Sequence, residues 1–239
     1  MGVSIQQIWC VTVLNDVPKT ACQTDAREPK HKMSSFKIKK TDPLFSAPLS
    51  MFEIDNSASL NKKLISESRA WRKEQKGANI SNHGDSWHSP DGLMMRSDPG
   101  FSEISKIIPQ IAAQYALQIN PKLDIQNFRF EANAWVNINR QGGYNTVHHH
   151  GKYHVSGVYY IKQPEKITNP SGMIELINSR FDHHIYSEIG GQAFAPRLKM
   201  RPPVGSMLVF PSTLLHFVYP NEAEEERISL AWNLKFIRK

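Results

Sequence analysis

The segment 144–161, YNTVHHHGKYHVSGVYYI, places three consecutive histidines immediately before an apolar and aromatic strand pattern. Successive side chains of a strand point to opposite faces, so His148 and His150 project to one side and His149 to the other. Two imidazoles on one face can bind a transition metal if a third ligand comes from elsewhere in the chain. The spacing therefore predicts part of a metal site, with His149 as a bystander.

A third ligand is available from His216, which lies within the apolar segment LLHFVYP. Apolar neighbours on both sides predict a buried strand with His216 facing the interior of the domain. Taken alone, each motif also fits a simpler interpretation: a polar loop for the triple histidine and a hydrogen-bonded core residue for His216. An alternative ligand set combines His148 and His216 with a carboxylate such as Glu175 or Asp182, although neither acid lies two residues after His148.

The segment 227–237, RISLAWNLKFI, alternates without interruption between an apolar face and a second face that begins with Arg227 and Ser229. A guanidinium and a hydroxyl side by side can bind a carboxylate, because the planar fork contacts both oxygens and the hydroxyl donates to one. The competing interpretation is a solvated face on which Arg227 pairs with the preceding acidic run EAEEE. The pattern thus predicts either an anion clamp or a surface ion pair.

The elements that must position these residues follow from the periodicity. Helical spacing predicts a helix over 58–75, capped by Ser57 or Ser59, and a clearer helix over 101–120 that Asn120-Pro121 ends. Pro109 inside the second helix predicts a start, a kink or a break at that point. The segment 77–93, GANISNHGDSWHSPDGL, is rich in Gly, Ser, Asn and Asp, which predicts a loop.

After Pro121 the period changes to two, beginning with FRFEANAWVNIN and continuing through several short apolar segments separated by Gly, Pro and Asn. Two helices followed by a run of short strands predict an antiparallel sandwich or jelly roll with helical support. We expect a basic N-terminal extension over residues 1–40 and a domain over 41–239. The helical support lies at about 57–120 and the β core at about 126–238 of that domain.

The composition is that of a globular protein, with 239 residues, 40% hydrophobic and 21% charged. Residues 1–40 hold seven Lys/Arg against three acids, so they account for +4 of the net charge of +7. The basic excess thus belongs largely to the extension, and we expect no nucleic-acid partner, although contact with nucleic acid through this extension is an alternative. Neither a membrane-length apolar run nor a signal-peptide pattern is present, and Cys10 and Cys22 fit reduced thiols, so we expect a cytoplasmic location and no membrane partner.

In order and spacing, His148-x-His150, His216 and Arg227-x-Ser229 resemble the Fe(II)- and 2-oxoglutarate-dependent oxygenases. That superfamily carries His-x-Asp/Glu, a distal His and a downstream Arg-x-Ser on a double-stranded β-helix. The likeness is greatest to the bacterial and phage group of 2OG-Fe(II) oxygenases and covers about residues 43–236. It is carried by LFSAPL, SNHGDSWHS, AWVNINRQGGYN, HHHGKYHVSGVYYIKQP, GSMLVFPSTLLHFVYPN and RISLAWN.

The resemblance implies a mainly β fold, a double-stranded β-helix (jelly roll, cupin-like) with supporting N-terminal helices. It also implies an oxidoreductase, a dioxygenase that uses Fe(II), 2-oxoglutarate and O2 to hydroxylate or otherwise oxidise a C–H bond of an unknown substrate. The implied metal ligands and catalytic residues are His148, His150 and His216. The implied contacts to 2-oxoglutarate are Arg227, Ser229, Tyr160, Asn137 and Asn233.

One position departs from the superfamily pattern, because His150 stands where the usual carboxylate ligand would be. Three neutral imidazoles also resemble a catalytic zinc site, so the ligand set leaves both iron and zinc open. The alternative function is a non-catalytic jelly-roll module that binds zinc or no metal and does not need Arg227. The sequence indicates neither the prime substrate nor the oligomeric state.

Overall fold

A computed structural model describes residues 37–40, 46–78, 80–165, 169–179 and 195–239. One compact unit, Pro43–Lys239, contains every described helix and strand. The extension predicted over 1–40 lies outside the described residues except for 37–40, and so do Asp182 and both cysteines. The boundary at residue 40 therefore stays a prediction.

Two helices, α1 (Ser57–Glu74) and α2 (Pro99–Ile119), match the predicted helical segments to within two residues at each end. The predicted serine cap of α1 is wrong. The helix begins at Ser57 itself, and the residue before it, Asn56, adopts a left-handed conformation with φ of 55° and makes no side-chain cap hydrogen bond. Helix α2 runs without interruption through Pro109, so that proline neither starts nor splits it.

The start of α2 is capped by a residue of the other helix. The Glu67 carboxylate accepts hydrogen bonds from the backbone N–H groups of Gly100 and Phe101 at 2.8 and 2.9 Å. A carboxylate at this position satisfies two N–H groups that have no partner inside the helix and faces the positive end of the helix dipole. This contact joins the two helices into one layer.

In the part of the chain that the structure describes, eleven strands, numbered β1 to β11 in chain order, form two antiparallel sheets, in the orders β1-β9-β6-β11-β4-β3 and β2-β5-β10-β7-β8. Short 3-10 turns occupy Leu93–Met95 and Ile125–Asn127. This architecture confirms the predicted mainly β jelly roll with two supporting helices. The strands are β1 (Ser50–Glu53), β2 (Asn82–His83), β3 (Ser86–His88), β4 (Phe128–Asn139), β5 (Tyr144–His148), β6 (Val155–Lys162), β7 (Ile174–Ile177), β8 (Arg197–Met200), β9 (Ser206–Pro211), β10 (Leu215–Val218) and β11 (Arg227–Arg238).

The segment 77–93 contains strands β2 and β3, so its prediction as a loop was wrong there. Strand β2 is two residues long and β3 three, and they pair with β5 and β4 respectively. Strands this short leave no periodic pattern in the sequence, because their hydrogen bonds come from partners that are distant along the chain.

The six-stranded sheet has one face against the helices and the other toward the five-stranded sheet. Ile228, Leu230 and Trp232 of β11 are fully buried in one apolar cluster with residues of α1 and α2. A second, smaller cluster joins residues of both sheets, including Phe210 and Ile174. The predicted alternation of β11 thus places Arg227 and Ser229 between the sheets. None of the described helices has the length and apolar character that a membrane span requires.

Candidate active site

The three predicted histidines converge between the sheets. His216 of β10 lies directly opposite His148 of β5, and His150 follows the end of β5, where its backbone N–H donates to Ser212 O at 2.7 Å. One potential ligand atom from each imidazole lies within 4.8 Å of the others, the only such group among the described residues. His149 is exposed and faces away, and its Nδ1 accepts a hydrogen bond from the Gly151 N–H.

Backbone carbonyls fix the tautomer of two of these histidines. The Nδ1 atom of His148 is 2.6 Å from Thr146 O, and the Nδ1 atom of His216 is 2.8 Å from Leu214 O. A carbonyl oxygen can only accept, so both Nδ1 atoms carry the hydrogen and both Nε2 atoms keep a lone pair. Metal-binding histidines are commonly oriented in this way.

Burial keeps all three imidazoles neutral at pH 7. Desolvation, reinforced by neighbouring imidazoles, lowers the pKa of His216 to about 3 and that of His150 to about 4. The pKa of His148 is also lowered by burial, although the Thr146 carbonyl opposes this effect. A neutral imidazole is the form that binds a metal, so protons do not compete for the site near neutrality.

The alternative carboxylate ligand Glu175 points away from the site. Glu175 of β7 lies opposite Phe217, whereas His216 lies opposite Leu176, so Glu175 and His216 are on different faces of the sheet. Its carboxylate accepts hydrogen bonds from Arg197 at 3.1 Å and from the Tyr219 hydroxyl at 2.5 Å. Glu175 is thus engaged on the outer face, and Asp182 lies outside the described residues.

Arg227 is a buried cation held by neutral groups. Only 1% of the residue is exposed, and its Nε donates to Gly172 O at 3.0 Å while Nη1 donates to Ser229 Oγ at 3.1 Å. No ion pair within the described part of the chain includes Arg227. A buried guanidinium without a counter-ion is strongly disfavoured, and burial lowers the pKa of Arg227, so this position fits an anionic ligand.

The acidic run before Arg227 is engaged elsewhere. Glu226 pairs with Arg69 at 2.9 Å, and Glu225 lies 3.8 Å from Lys162. The interpretation of Arg227 as a solvated partner of EAEEE is therefore wrong, because Arg227 is buried between the sheets.

Two further polar groups beside Arg227 have atoms without hydrogen-bond partners among the described residues: the Tyr160 hydroxyl and Asn137 Oδ1. The Tyr160 ring centre lies 5.4 Å from the Arg227 guanidinium carbon, and Asn137 is the strand partner of Ser229. Burial raises the pKa of Tyr160 to about 12, against the opposing effect of Arg227, so its hydroxyl keeps its proton and can donate. Both groups fit contacts to a polar ligand.

Asn233 lies further along the same face of β11, where its Oδ1 accepts a hydrogen bond from Ser156 at 2.6 Å, and Ser156 contacts Ser212 at 2.8 Å. Asn233 does not line the cavity described below. Six residues separate it from Arg227, which is about 20 Å along a strand. The structure therefore does not bring Asn233 together with the rest of the predicted contacts.

A single cavity joins the histidines to the buried arginine. Its volume is about 490 Å³, including space open to solvent. The polar lining lies beside an apolar wall formed by residues of both sheets. The lining residues include His148, His150, His216, Arg227, Ser229, Asn137, Trp135, Val158, Ile174, Phe210 and Val218.

Three further residues that had no predicted role contact or line this site. Gly172 supplies the carbonyl that accepts from Arg227, and it adopts a positive φ of 63°, which a glycine tolerates best. Trp135 lines the cavity and shares a strand face with Asn137, so strand parity could have identified it. His88 stacks on Trp135, but it lies in the segment predicted as a loop, where no pattern indicated its position.

A family of known proteins matches the segment that carries this site. Residues 133–233 match the family described as "Putative 2OG-Fe(II) oxygenase", a range that includes all three histidines and Arg227. The matched segment is similar to this family of oxygenases. Enzymes of the family use Fe(II), 2-oxoglutarate and O2, and the histidine triad of this chain fits an iron site. No curated protein sequence matches the chain.

Solved structures share the fold of this chain at low sequence identity. A prolyl-4-hydroxylase from Pseudomonas putida is 20% identical, with a TM-score of 0.55 over 81% of this chain and 94% of that one. A prolyl hydroxylase from Trichoplax adhaerens is 14% identical, with a TM-score of 0.53 over 78% and 83%. HygX from Streptomyces hygroscopicus, solved with nickel, 2-oxoglutarate and hygromycin B, is 11% identical, with a TM-score of 0.53 over 79% and 83%.

Proposed function

We propose that the protein is a dioxygenase that couples oxidative decarboxylation of 2-oxoglutarate to hydroxylation, or a related C–H oxidation, of another substrate. One observation carries the proposal: the buried Arg227, without an acidic partner in the described chain, shares a cavity with three neutral histidines. A module that only binds a metal needs the histidines and has no use for a buried cation beside them. The clamp therefore favours the enzyme over the binding module.

The histidines His148, His150 and His216 would hold Fe(II). Two of them already present Nε2 lone pairs, because Thr146 and Leu214 hold their Nδ1 hydrogens. Together, bound Fe(II), 2-oxoglutarate and O2 supply the oxidising power for the C–H bond and leave succinate and CO2. The chain contributes three neutral donors at fixed positions, which need no deprotonation at pH 7.

Arg227 and Ser229 would bind the far carboxylate of 2-oxoglutarate. Gly172 O accepts from Nε and Ser229 Oγ accepts one Nη1 hydrogen, which leaves Nη2 and the second Nη1 hydrogen of Arg227 for the carboxylate. The Tyr160 hydroxyl, whose pKa is raised to about 12, would donate a further hydrogen bond. A carboxylate here gives the buried cation its counter-ion and the hydroxyl its partner.

Asn137 would contact the cosubstrate or water at the metal, because its Oδ1 is buried without a partner among the described residues and it borders the cavity. For Asn233 we propose no direct contact, since its Oδ1 is held by Ser156. The apolar wall that includes Val158 and Phe210 would keep bulk water from the reacting groups. The cytoplasmic location and the lack of membrane and nucleic-acid partners stay predictions from the sequence.

Succinate formation tests this function. Supplied with Fe(II), 2-oxoglutarate and ascorbate in air, the protein should form succinate slowly even without its prime substrate, and His148→Ala should form none. Truncating one partner of a buried charge pair costs about 2–5 kcal/mol, so Arg227→Ala should raise the KM for 2-oxoglutarate at least about 30-fold. Glu226→Gln, which alters a cluster of ion pairs with Arg69, Arg72 and Arg140 outside the cavity, is the matched control and should keep the parent KM. An unchanged KM in Arg227→Ala would contradict the clamp.

A further inference from the structure

The three histidines differ in what orients their rings. Backbone carbonyls hold His148 and His216 through Nδ1. The ring of His150 makes no hydrogen bond to any described residue, and only its backbone is held, with its N–H donating to Ser212 O and its carbonyl accepting from Tyr153 N–H. Another contact must therefore limit rotation of the His150 imidazole about its side-chain torsions.

That contact is aromatic. The His150 ring packs against Trp135 with 5.5 Å between ring centres and 57° between planes. Trp135 also stacks on His88, with 5.3 Å between centres and only 15° between planes. Both supporting residues are buried, with 8% of Trp135 and 3% of His88 exposed. The three rings form a continuous stack that ends at the cavity.

The far end of the stack is anchored by the backbone. His88 lies in β3, is the strand partner of Asn137 in β4, and its carbonyl accepts from Ala78 N–H at 2.9 Å. Its ring is fixed by a hydrogen bond from Nδ1 to Ser89 O at 2.7 Å. Trp135 and His88 thus belong to the six-stranded sheet, while His150 follows β5 of the other sheet. The stack connects the two sheets beside the histidine triad.

We propose that Trp135, backed by His88, is the positioning residue of His150, fixing by packing an imidazole that no hydrogen bond holds. This inference rests on the proposed function, because it requires His150 to be a metal ligand. Removing the indole leaves the His150 ring against the imidazoles of His148 and His216 alone among the described rings, while the carbonyls still hold those two histidines. The loss of fixed ring orientation is therefore confined to His150, one of the three proposed ligands.

Titration with Co(II) alone, followed by its visible absorption bands, tests the proposal without turnover. Outer contacts of metal ligands typically contribute about 10- to 100-fold to metal affinity, so Trp135→Leu should weaken Co(II) binding by that factor and change the band pattern. Trp135→Phe keeps an aromatic ring, so most of the Co(II) affinity and of the parent band pattern should be retained. In a His150→Ala background, Trp135→Leu should cause no further loss, because the residue it positions is already gone.

Trp87→Leu is the matched control, since Trp87 is buried in the cluster on the helix side of the sheet. It should lower thermal stability and leave the Co(II) affinity and bands unchanged. If Trp135→Leu does not fold, His88→Ala carries the test, with a smaller loss of affinity that also disappears in the His150→Ala background.

Two results would overturn the positioning role alone: parent-like Co(II) binding by folded Trp135→Leu, or the same loss with and without His150. A different result would overturn the metal site itself. If the parent binds no Co(II), or if His150→Ala binds it as tightly as the parent, His150 is not a ligand and the positioning proposal fails with it.

Discussion

Single side chains decide what the cavity can bind. Arg227 brings a positive charge between the sheets, and the groups that hold it, Gly172 O and the Ser229 hydroxyl, are neutral. The Tyr160 hydroxyl beside it is buried and has no partner in the described chain. Without a ligand these groups disfavour the folded state, and with a carboxylate they all gain partners. The site is thus complementary to an anion that none of the described residues supplies.

Replacing Tyr160 with Phe separates binding from folding. The hydroxyl has no acceptor for its proton among the described residues and interacts only with the Arg227 guanidinium, so its removal should change the free energy of unfolding little in urea titrations. A hydrogen bond to a charged group contributes about 1.5–3 kcal/mol, so the KM for 2-oxoglutarate should rise about 10- to 100-fold. Marked destabilisation of the apoprotein together with a parent-like KM would mean that the hydroxyl serves folding and not the cosubstrate.

The histidine triad also predicts a pH dependence of the apoprotein. The pKa values of His216 and His150 are lowered on folding to about 3 and about 4, so the folded state disfavours their protonation. In the unfolded chain these histidines have ordinary pKa values near 6.5, so the unfolded state binds protons at a higher pH than the folded state. Their contribution to the free energy of unfolding is therefore fully present above about pH 6.5 and is lost as the pH drops toward 4. Between the unfolded and the folded pKa, each such histidine changes the free energy of unfolding by up to about 1.4 kcal/mol per pH unit.

Urea unfolding of the apoprotein at several pH values between 7.5 and 4.5 measures this slope. His216→Asn lacks one of the titrating groups and should show a shallower fall than the parent. His149→Asn, at the exposed neighbouring position, should keep the parent slope. Equal slopes in His216→Asn and the parent would show that burial does not hold His216 neutral.

At the scale of elements, β11 serves both sides of the six-stranded sheet. Its apolar residues pack under the helices, and its alternate residues face the cavity. Trp232 lies opposite Gly157 of β6, where an added Cβ would come within 2.4 Å of the indole ring. The absence of a side chain at Gly157 lets the indole lie against the neighbouring backbone. The helix layer is thereby packed onto the strand that carries Arg227.

Gly157→Ala should therefore destabilise the protein by about 1–3 kcal/mol through overpacking in a rigid core. Gly151→Ala is the matched control, because the added Cβ would meet only the exposed His149 ring, at 3.1 Å, and that side chain can move. Thermal or urea unfolding of the two variants measures the difference. Equal stability of Gly157→Ala and the parent would show that the contact between Trp232 and Gly157 is loose.

At the scale of the whole molecule, the sequence predicted the features that repeat with a period. Alternation along β11 placed Arg227 and Ser229 on one face, and helical spacing located both helices. Features that depend on contacts between distant segments left no such pattern. Strands β2 and β3 and the cap of α2 by Glu67 form through pairings across many residues. The stack of His88 on Trp135 was missed for the same reason.

Anaerobic spectroscopy shows whether one cavity binds both a metal and 2-oxoglutarate. With Fe(II) and 2-oxoglutarate in the absence of O2, the parent should show the visible charge-transfer band of a keto acid chelated to iron. The band should weaken in Arg227→Ala, which lacks the clamp, and vanish in His150→Ala, which lacks a metal ligand. A parent that shows no band at saturating Fe(II) and 2-oxoglutarate, while binding zinc tightly, would contradict the account and favour a metal-binding module.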